Sequence, residues 1–206
     1  MGKLYFYYAS MNAGKSTCLL QADFNYRERG MATMLWTAGV DDRGQRFAIE
    51  SRIGLGADAN RFDAETDLWE AITAHQKAEQ LSCVLIDEAQ FLTQEQVWQC
   101  ARLADFADIP VLCFGLRTDF QGNLFPGSAV LLGIADKLVE LKAVCHCGSK
   151  ATMNLRVDAE SEPMRSGTQT LIGGNDRYVP LCRKHFSSAL HSWPVAADVA
   201  SVGPLT

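Results

Sequence analysis

The chain has 206 residues, 48% of them hydrophobic and 21% charged, with a formal net charge of −5 at pH 7 and an isoelectric point near 5.4. That length suits one α/β domain with a small appendage, burying about 70% of the surface of the unfolded chain. The acidic balance argues against a general nucleic-acid binder, which needs a basic stripe, and no apolar run approaches the ~20 residues of a bilayer span or forms a signal peptide. The expected partners therefore include neither nucleic acid nor membrane, and the expected compartment is the cytoplasm.

In chain order, the apolar residues 4–9 predict a first strand that runs into Ala9-Ser10-Met11-Asn12-Ala13-Gly14-Lys15-Ser16-Thr17. This stretch has the form of a phosphate-binding loop. A strand-to-helix turn aims backbone N–H groups into one concavity, and the helix N-terminus adds partial positive charge there. Lys15 would reach the β- and γ-phosphates and Ser16 would place its hydroxyl on Mg²⁺. Ala9 stands where such loops usually begin with glycine, so φ must stay negative at that corner. A helix over 16–29 ending at Gly30 follows, then a strand over 32–38. The Gly-, Asp- and Arg-rich segment from Gly39 to Arg61 reads as a mobile loop.

Helical periodicity at 66–80 leads into a strand at 83–87, Cys83-Val84-Leu85-Ile86-Asp87, followed by Glu88. A short apolar run of this kind suits a parallel strand buried on both faces. Its acid emerges at the carboxyl end, where ligands of open α/β sheets gather. Asp87 is the expected magnesium partner. Glu88 is the candidate base for a hydroxyl or water near the γ-phosphate, the alternative being an acid that only supports Asp87. Thr93-Gln94-Glu95-Gln96 has the form of a capping box and predicts a helix over 94–107. A strand at 111–115, a loop at 116–127, a short helix and a strand at 137–144 complete a pattern of alternating strands and helices. The expected fold is α/β, a P-loop NTPase-type (RecA-like) parallel sheet flanked by helices.

Seven cysteines in a cytosolic chain are more readily thiols or metal ligands than disulfides. Cys18, Cys83, Cys100 and Cys113 fall inside apolar patterns, where cysteine acts as a small hydrophobe. Cys145-His146-Cys147 and Cys182-Arg183-Lys184-His185 resemble two knuckles of a zinc ribbon. Cys145, Cys147, Cys182 and His185 would hold a structural Zn²⁺ with no open position. His146 is a possible substitute for one thiolate of the first knuckle.

Three segments carry a resemblance to a known family: Asp87-Glu88-Ala89-Gln90-Phe91, Leu116 through Phe125, and Gly174-Asn175-Asp176-Arg177-Tyr178-Val179-Pro180-Leu181-Cys182-Arg183-Lys184-His185-Phe186. Together they resemble the cellular-type (type II) thymidine kinases, over nearly the whole chain. The resemblance implies transfer of the ATP γ-phosphoryl to the 5′-hydroxyl of thymidine, with deoxyuridine as a second acceptor and Glu88 as general base. It assigns Ala9–Ser16, Asp41, Arg43, Asp87 and Gln90 to ATP and its Mg²⁺. It assigns the nucleoside to Met11, Leu116, Phe120, Phe125, Asn154 and Tyr178, and to a lasso loop of Gln169, Thr170, Leu171, Ile172 and Gly173. Many members carry threonine where this chain has Asn154, and a fourth cysteine where it has His185. The resemblance also implies a homotetramer and feedback inhibition by thymidine triphosphate.

The expected division is a nucleotide-binding domain over 1–140, a zinc-binding lobe with the lasso over 141–191, and a patternless tail over 192–206. Two other readings compete. Asp87-Glu88-Ala89-Gln90 also resembles the box of nucleic-acid-dependent ATPases, which the single-domain length and acidic charge oppose. A non-catalytic, nucleotide-responsive zinc module is the other.

Overall fold

A computed structural model describes residues 1–39, 48–169 and 177–191. Asp41, Arg43, Thr170, Leu171, Ile172, Gly173 and the expected tail lie outside the described residues. The elements are β1 (Leu4–Ala9), α1 (Lys15–Glu28), β2 (Ala32–Ala38), β3 (Ala48–Glu50), β4 (Gly56–Asp58), β5 (Asn60–Phe62), α2 (Leu68–Gln76) and β6 (Leu81–Ile86). A 3-10 turn (Ala89–Phe91), α3 (Gln94–Phe106), β7 (Val111–Leu116), α4 (Pro126–Ile134) and β8 (Lys137–Glu140) follow. The chain closes with β9 (Ala143–Val144), β10 (Lys150–Ala151), β11 (Met153–Arg156), β12 (Tyr178–Leu181) and α5 (Arg183–His191).

By its internal contacts the chain divides into two units. The first comprises Met1–Tyr8, Gly14–Arg117 and Leu124–Leu141; the second comprises Ala9–Ala13, Thr118–Asn123 and the described residues from Lys142 on.

The first unit is built on a six-stranded sheet of order β5-β2-β6-β7-β1-β8. The pairs β2·β5, β2·β6, β6·β7 and β1·β8 run parallel. Period-2 alternation sorts the strand side chains onto two faces. Leu4, Phe6, Val84, Ile86, Val111 and Cys113 join one apolar cluster with Leu68 and Ile72 of α2, Val97, Cys100 and Leu103 of α3, and Leu131 of α4. Tyr5, Tyr7, Cys83, Leu85, Leu112 and Phe114 join the other, with Leu19 and Leu20 of α1. Each fully buried aliphatic or aromatic side chain contributes about 1.5–3 kcal/mol, so both faces of β6 and β7 hold the sheet.

The expected capping box is present. Gln96 N–H donates to Thr93 Oγ1 at 3.2 Å, and Thr93 N–H donates to Gln96 Oε1 at 3.0 Å. Gln96 Nε2 also donates to the carbonyls of Asp63 and Thr66, at 2.6 and 2.9 Å. One residue thus starts α3 and fixes the chain entering α2.

Two expectations need correction. The segment 39–61, read as a loop, contains the antiparallel hairpin β3–β4, and the edge strand β5 begins at Asn60. Strands of three residues are too short to show a period, and β5 exists because Trp36–Ala38 offers it a backbone to pair with. The strand expected over 137–144 is two strands: β8 extends the large sheet, and β9 pairs with β10.

In the second unit β9–β10 and β11–β12 are two antiparallel ribbons. Ala143, Cys145, Ala151, Leu155, Leu181, Phe186 and Leu190 form its core. Among the described residues, no helix is long and apolar enough to cross a membrane.

Helix α4 approaches the 3-10 turn so closely that a Cβ on Gly127 would lie 2.7 Å from the carbonyl oxygens of both Ala89 and Leu92. Gly127→Ala is expected to cost about 1–3 kcal/mol of stability, read as a lower urea midpoint; an unchanged midpoint would show that the contact yields freely.

Candidate active site

The phosphate side of the site begins where β1 ends. Ala9 is the last residue of that strand, so the glycine-free corner is extended backbone. The left-handed positions of the loop come later, at Asn12 (φ 63°) and Gly14 (φ 79°). Asparagine tolerates that region and glycine has no Cβ to clash in it. Gly14 is the N-cap of α1, so the N–H groups of the helix's first turn point out of its end.

Within the first unit, Lys15 and Asp87 are both buried. Ser16 Oγ donates to Asp87 Oδ2 at 3.0 Å, tying the first turn of α1 to the end of β6. Burial pulls the Lys15 ammonium below its ordinary pKa, an effect that Glu88 and Asp87 partly offset. Burial, and then the neighbouring Glu88, push the Asp87 carboxyl up to about 7 against the pull of the Ser16 hydrogen bond. A hydroxyl and a carboxylate form a hard oxygen donor set of the kind magnesium prefers. A divalent cation would relieve the repulsion that lifts Asp87.

Glu88 lies just beyond the strand with φ 54° and ψ 36°, a conformation that costs a non-glycine residue about 1–2 kcal/mol. Its N–H donates to Asp87 Oδ1 at 3.0 Å. The Gln90 side chain is buried at 1% exposure and serves both neighbours. Its Oε1 accepts from Leu116 N–H at 2.9 Å, which fixes the carboxamide so that Nε2 donates to the Glu88 carboxylate. Gln90, expected to meet ATP, here bonds the Glu88 carboxylate. The Leu116 carbonyl accepts from Ser128 Oγ at 2.6 Å, so α4 secures the same strand end. Phe125 packs edge-on against Phe91, with ring centroids 5.8 Å apart.

The second unit holds the first half of the phosphate loop together with residues expected at the nucleoside. Ser10 Oγ donates to the Ala151 carbonyl at 3.2 Å, and Met11 N–H donates to Asn154 Oδ1 at 2.7 Å. Asn154 Nδ2 reaches the Thr118 carbonyl at 3.4 Å, so this buried carboxamide bridges two main-chain segments. Phe120 is buried beneath the Arg156 guanidinium, Gln169 Nε2 donates to Asp119 Oδ2 at 3.1 Å, and Tyr178 sits opposite Arg156 in the β11–β12 ladder. Sequence reasoning passes over Asp119 and Arg156. Asp119 has a local signal, a short acid before Gln121-Gly122-Asn123 that suits an Asx-type turn; Arg156 has none.

The donor atoms of Cys145, Cys147, Cys182 and His185 all lie within 4.8 Å of one another. His185 Nδ1 is 3.3 Å from Cys182 Sγ and 3.5 Å from Cys145 Sγ, and the Cys147 and Cys182 sulfurs are 3.9 Å apart. Four donors about 2.0–2.3 Å from a central zinc would stand about 3.3–3.8 Å apart, so the cluster has the size of a tetrahedral zinc site. It takes in Cys147, while the His146 ring lies beside that of His185, centroids 4.3 Å apart. Hydrogen bonds from Ser149 pull the Cys147 thiol down to about 7, which favours the thiolate a metal needs.

A parallel sheet whose first loop carries Gly14, Lys15 and Ser16, with Ser16 bonded to an acid at the end of β6, defines a P-loop nucleotide-binding protein. A family model described as thymidine kinase matches residues 2–186. Thymidine kinases of Novosphingobium aromaticivorans and Zymomonas mobilis are 76% and 62% identical to this chain, covering 92% and 93% of it and 99% and 100% of the relatives. That of Salmonella typhimurium is 53% identical over 96% of each chain. A solved structure, Bacteroides Pif1 bound to ssDNA, aligns over 68% of this chain and 38% of its own at 14% identity and a TM-score of 0.36, too distant to carry an argument. The chain belongs to the thymidine kinase family, and its function is that of a nucleoside kinase acting on thymidine.

Asp87 has its pKa raised by folding, so its contribution to stability is present below about pH 4, the unfolded value, and is lost as pH rises toward about 7. In EDTA and without nucleotide, Asp87→Asn is expected to melt above wild type at pH 8 and with it at pH 4. Equal melting at both values would mean that Asp87 is not held in a charge-poor pocket.

Proposed function

We propose that the chain transfers the γ-phosphoryl of ATP to the 5′-hydroxyl of thymidine, and of deoxyuridine as a second acceptor, with Glu88 as general base. The supporting observation is the junction at the end of β6, where Asp87 bonds Ser16 of the phosphate loop and Glu88 is held in a left-handed conformation by Gln90. Backbone strain kept in place by buried partners points to a functional position.

In this reading the main chain of Ala9–Ser16 receives the phosphates and the Lys15 ammonium meets their charge, with Asp41 and Arg43 beside them. Ser16 and Asp87 would hold Mg²⁺, whose contribution when bound is to neutralise charge on the β- and γ-phosphates. Glu88 accepts the 5′-hydroxyl proton as the O5′–P bond forms and the bond from the γ-phosphorus to the bridging oxygen breaks. Because the transition state is loose, orientation of that carboxylate counts for more than its basicity. The nucleoside is assigned to Met11, Leu116, Phe120, Phe125, Asn154, Tyr178 and the segment Gln169–Gly173, with Asn154 acting through its hold on Met11.

The same reading places the nucleotide-binding domain at 1–140 and a structural zinc lobe at 141–191, with Cys145, Cys147, Cys182 and His185 as ligands. It also proposes a cytoplasmic homotetramer, inhibited by thymidine triphosphate, that serves deoxynucleotide salvage for DNA synthesis.

Glu88→Gln is expected to lower kcat for thymidine phosphorylation by about 10² or more while thymidine KM stays near wild type. A variant with wild-type kcat would remove Glu88 as the base. One zinc per chain is expected by elemental analysis, and its removal by a strong chelator is expected to unfold the second unit, since metal affinity in such a lobe is folding free energy. A zinc-free protein with wild-type melting would contradict the assignment.

A further inference from the structure

After β11 the chain turns tightly. Asp158 Oδ1 accepts from the N–H groups of Glu160 and Glu162 at 3.0 and 2.8 Å, and Val157 bridges Pro163 in antiparallel sense. The strap 164–169 therefore runs back past the strand it has left, and Met164 N–H donates to the Arg156 carbonyl at 2.8 Å. The Arg156 side chain, 2% exposed, faces this returning strap. Its Nη1 donates to the Thr168 carbonyl at 2.8 Å and its Nη2 to the Ser166 carbonyl at 3.4 Å. The guanidinium carbon lies 3.8 Å from the centroid of the Phe120 ring. Nε finds no hydrogen-bond partner among the described residues.

The loop that carries Phe120 holds the strap at two further points. Gln121 Nε2 donates to the Arg165 carbonyl at 3.0 Å, and Asp119 Oδ2 accepts from Gln169 Nε2 at 3.1 Å. That loop is itself stiff, because Asp119 Oδ1 accepts from the N–H groups of both Gln121 and Asn123 at 2.9 Å. Arg156 lies on the aromatic ring and on the strap at once. Burying a guanidinium costs free energy that main-chain carbonyls and a π-face only partly return. An apolar residue would pack Phe120 at lower cost and give up the hydrogen bonds to the Ser166 and Thr168 carbonyls. The strap in turn accommodates the guanidinium: Gly167 has φ 135°, and a Cβ there would lie 2.2 Å from Arg156 Nη2.

We infer that Arg156 is a positioning residue for the nucleoside, its guanidinium fixing the strap Ser166–Gln169 against Phe120 and so setting the KM for thymidine without touching ATP. The inference rests on the proposed reading that Phe120 and Gln169 serve the nucleoside. Loss of charge-assisted hydrogen bonds to the strap predicts a rise in thymidine KM of about tenfold or more.

The test measures KM for thymidine and for ATP, zinc content and melting temperature in Arg156→Met, Arg156→Lys, Gly167→Ala and Phe120→Leu. Arg156→Met and Gly167→Ala, which break the same contact from opposite sides, are expected to raise thymidine KM alike. ATP KM and zinc content should stay near wild type, and Arg156→Lys should recover part of the loss. If Arg156→Met fails to fold, Gly167→Ala carries the test alone. Wild-type thymidine KM in Gly167→Ala, or equal rises in both KM values, would overturn the inference. If Phe120→Leu raises thymidine KM and the Arg156 and Gly167 variants do not, the inference alone falls. If Phe120→Leu leaves it unchanged, the nucleoside reading falls and takes the inference with it.

Discussion

The constraint on which the site depends is the crowding of charge at the carboxyl end of β6. Asp87 and Glu88 are consecutive acids, Asp87 is buried, and among the described residues the opposing charge acting on it is a buried lysine that opens α1. Without a cation this arrangement costs free energy, seen in a carboxyl pushed up to about 7 and an ammonium pulled down. The flanking sheet offsets that cost, because β6 and β7 are buried on both faces and their ends have little freedom to relax. What is unfavourable for the empty protein becomes affinity once a divalent cation and phosphates supply the missing charges.

Orientation is supplied by a second set of contacts around the same strand end. Gln90 is locked by the Leu116 N–H and presents its amide hydrogens to Glu88, while Ser128 holds the Leu116 carbonyl. These contacts give the Glu88 carboxylate a neutral hydrogen-bonding partner beside the Lys15 charge. The second unit shows the same economy. Asn154 spends both ends of its carboxamide on main chain, fixing Met11 and Thr118 rather than offering a free amide.

Features whose physics is local are legible in the sequence. The Gly14-Lys15-Ser16 turn, the strand ending in Asp87 and the Thr93–Gln96 capping box each declare themselves within a few residues, because turn geometry, strand burial and helix capping are short-range. The Cys/His cluster is legible as two knuckles, and the four donor atoms of Cys145, Cys147, Cys182 and His185 lie within 4.8 Å of one another. The hairpin β3–β4 and the edge strand β5 are hidden because three-residue strands carry no period and owe their existence to pairing partners. Gln90 and Arg156 are hidden for a different reason. Their roles depend on partners 26 and 12 residues away, which no spacing rule brings together.

The most direct test of the account is a crystal structure of the protein with thymidine, Mg²⁺ and a non-hydrolysable ATP analogue. The account predicts the 5′-oxygen within about 2.6–3.2 Å of a Glu88 carboxylate oxygen, with Ser16 and Asp87 both turned to the cation. A 5′-hydroxyl directed away from Glu88, or a cation held elsewhere while the Ser16–Asp87 bond persists, would contradict it.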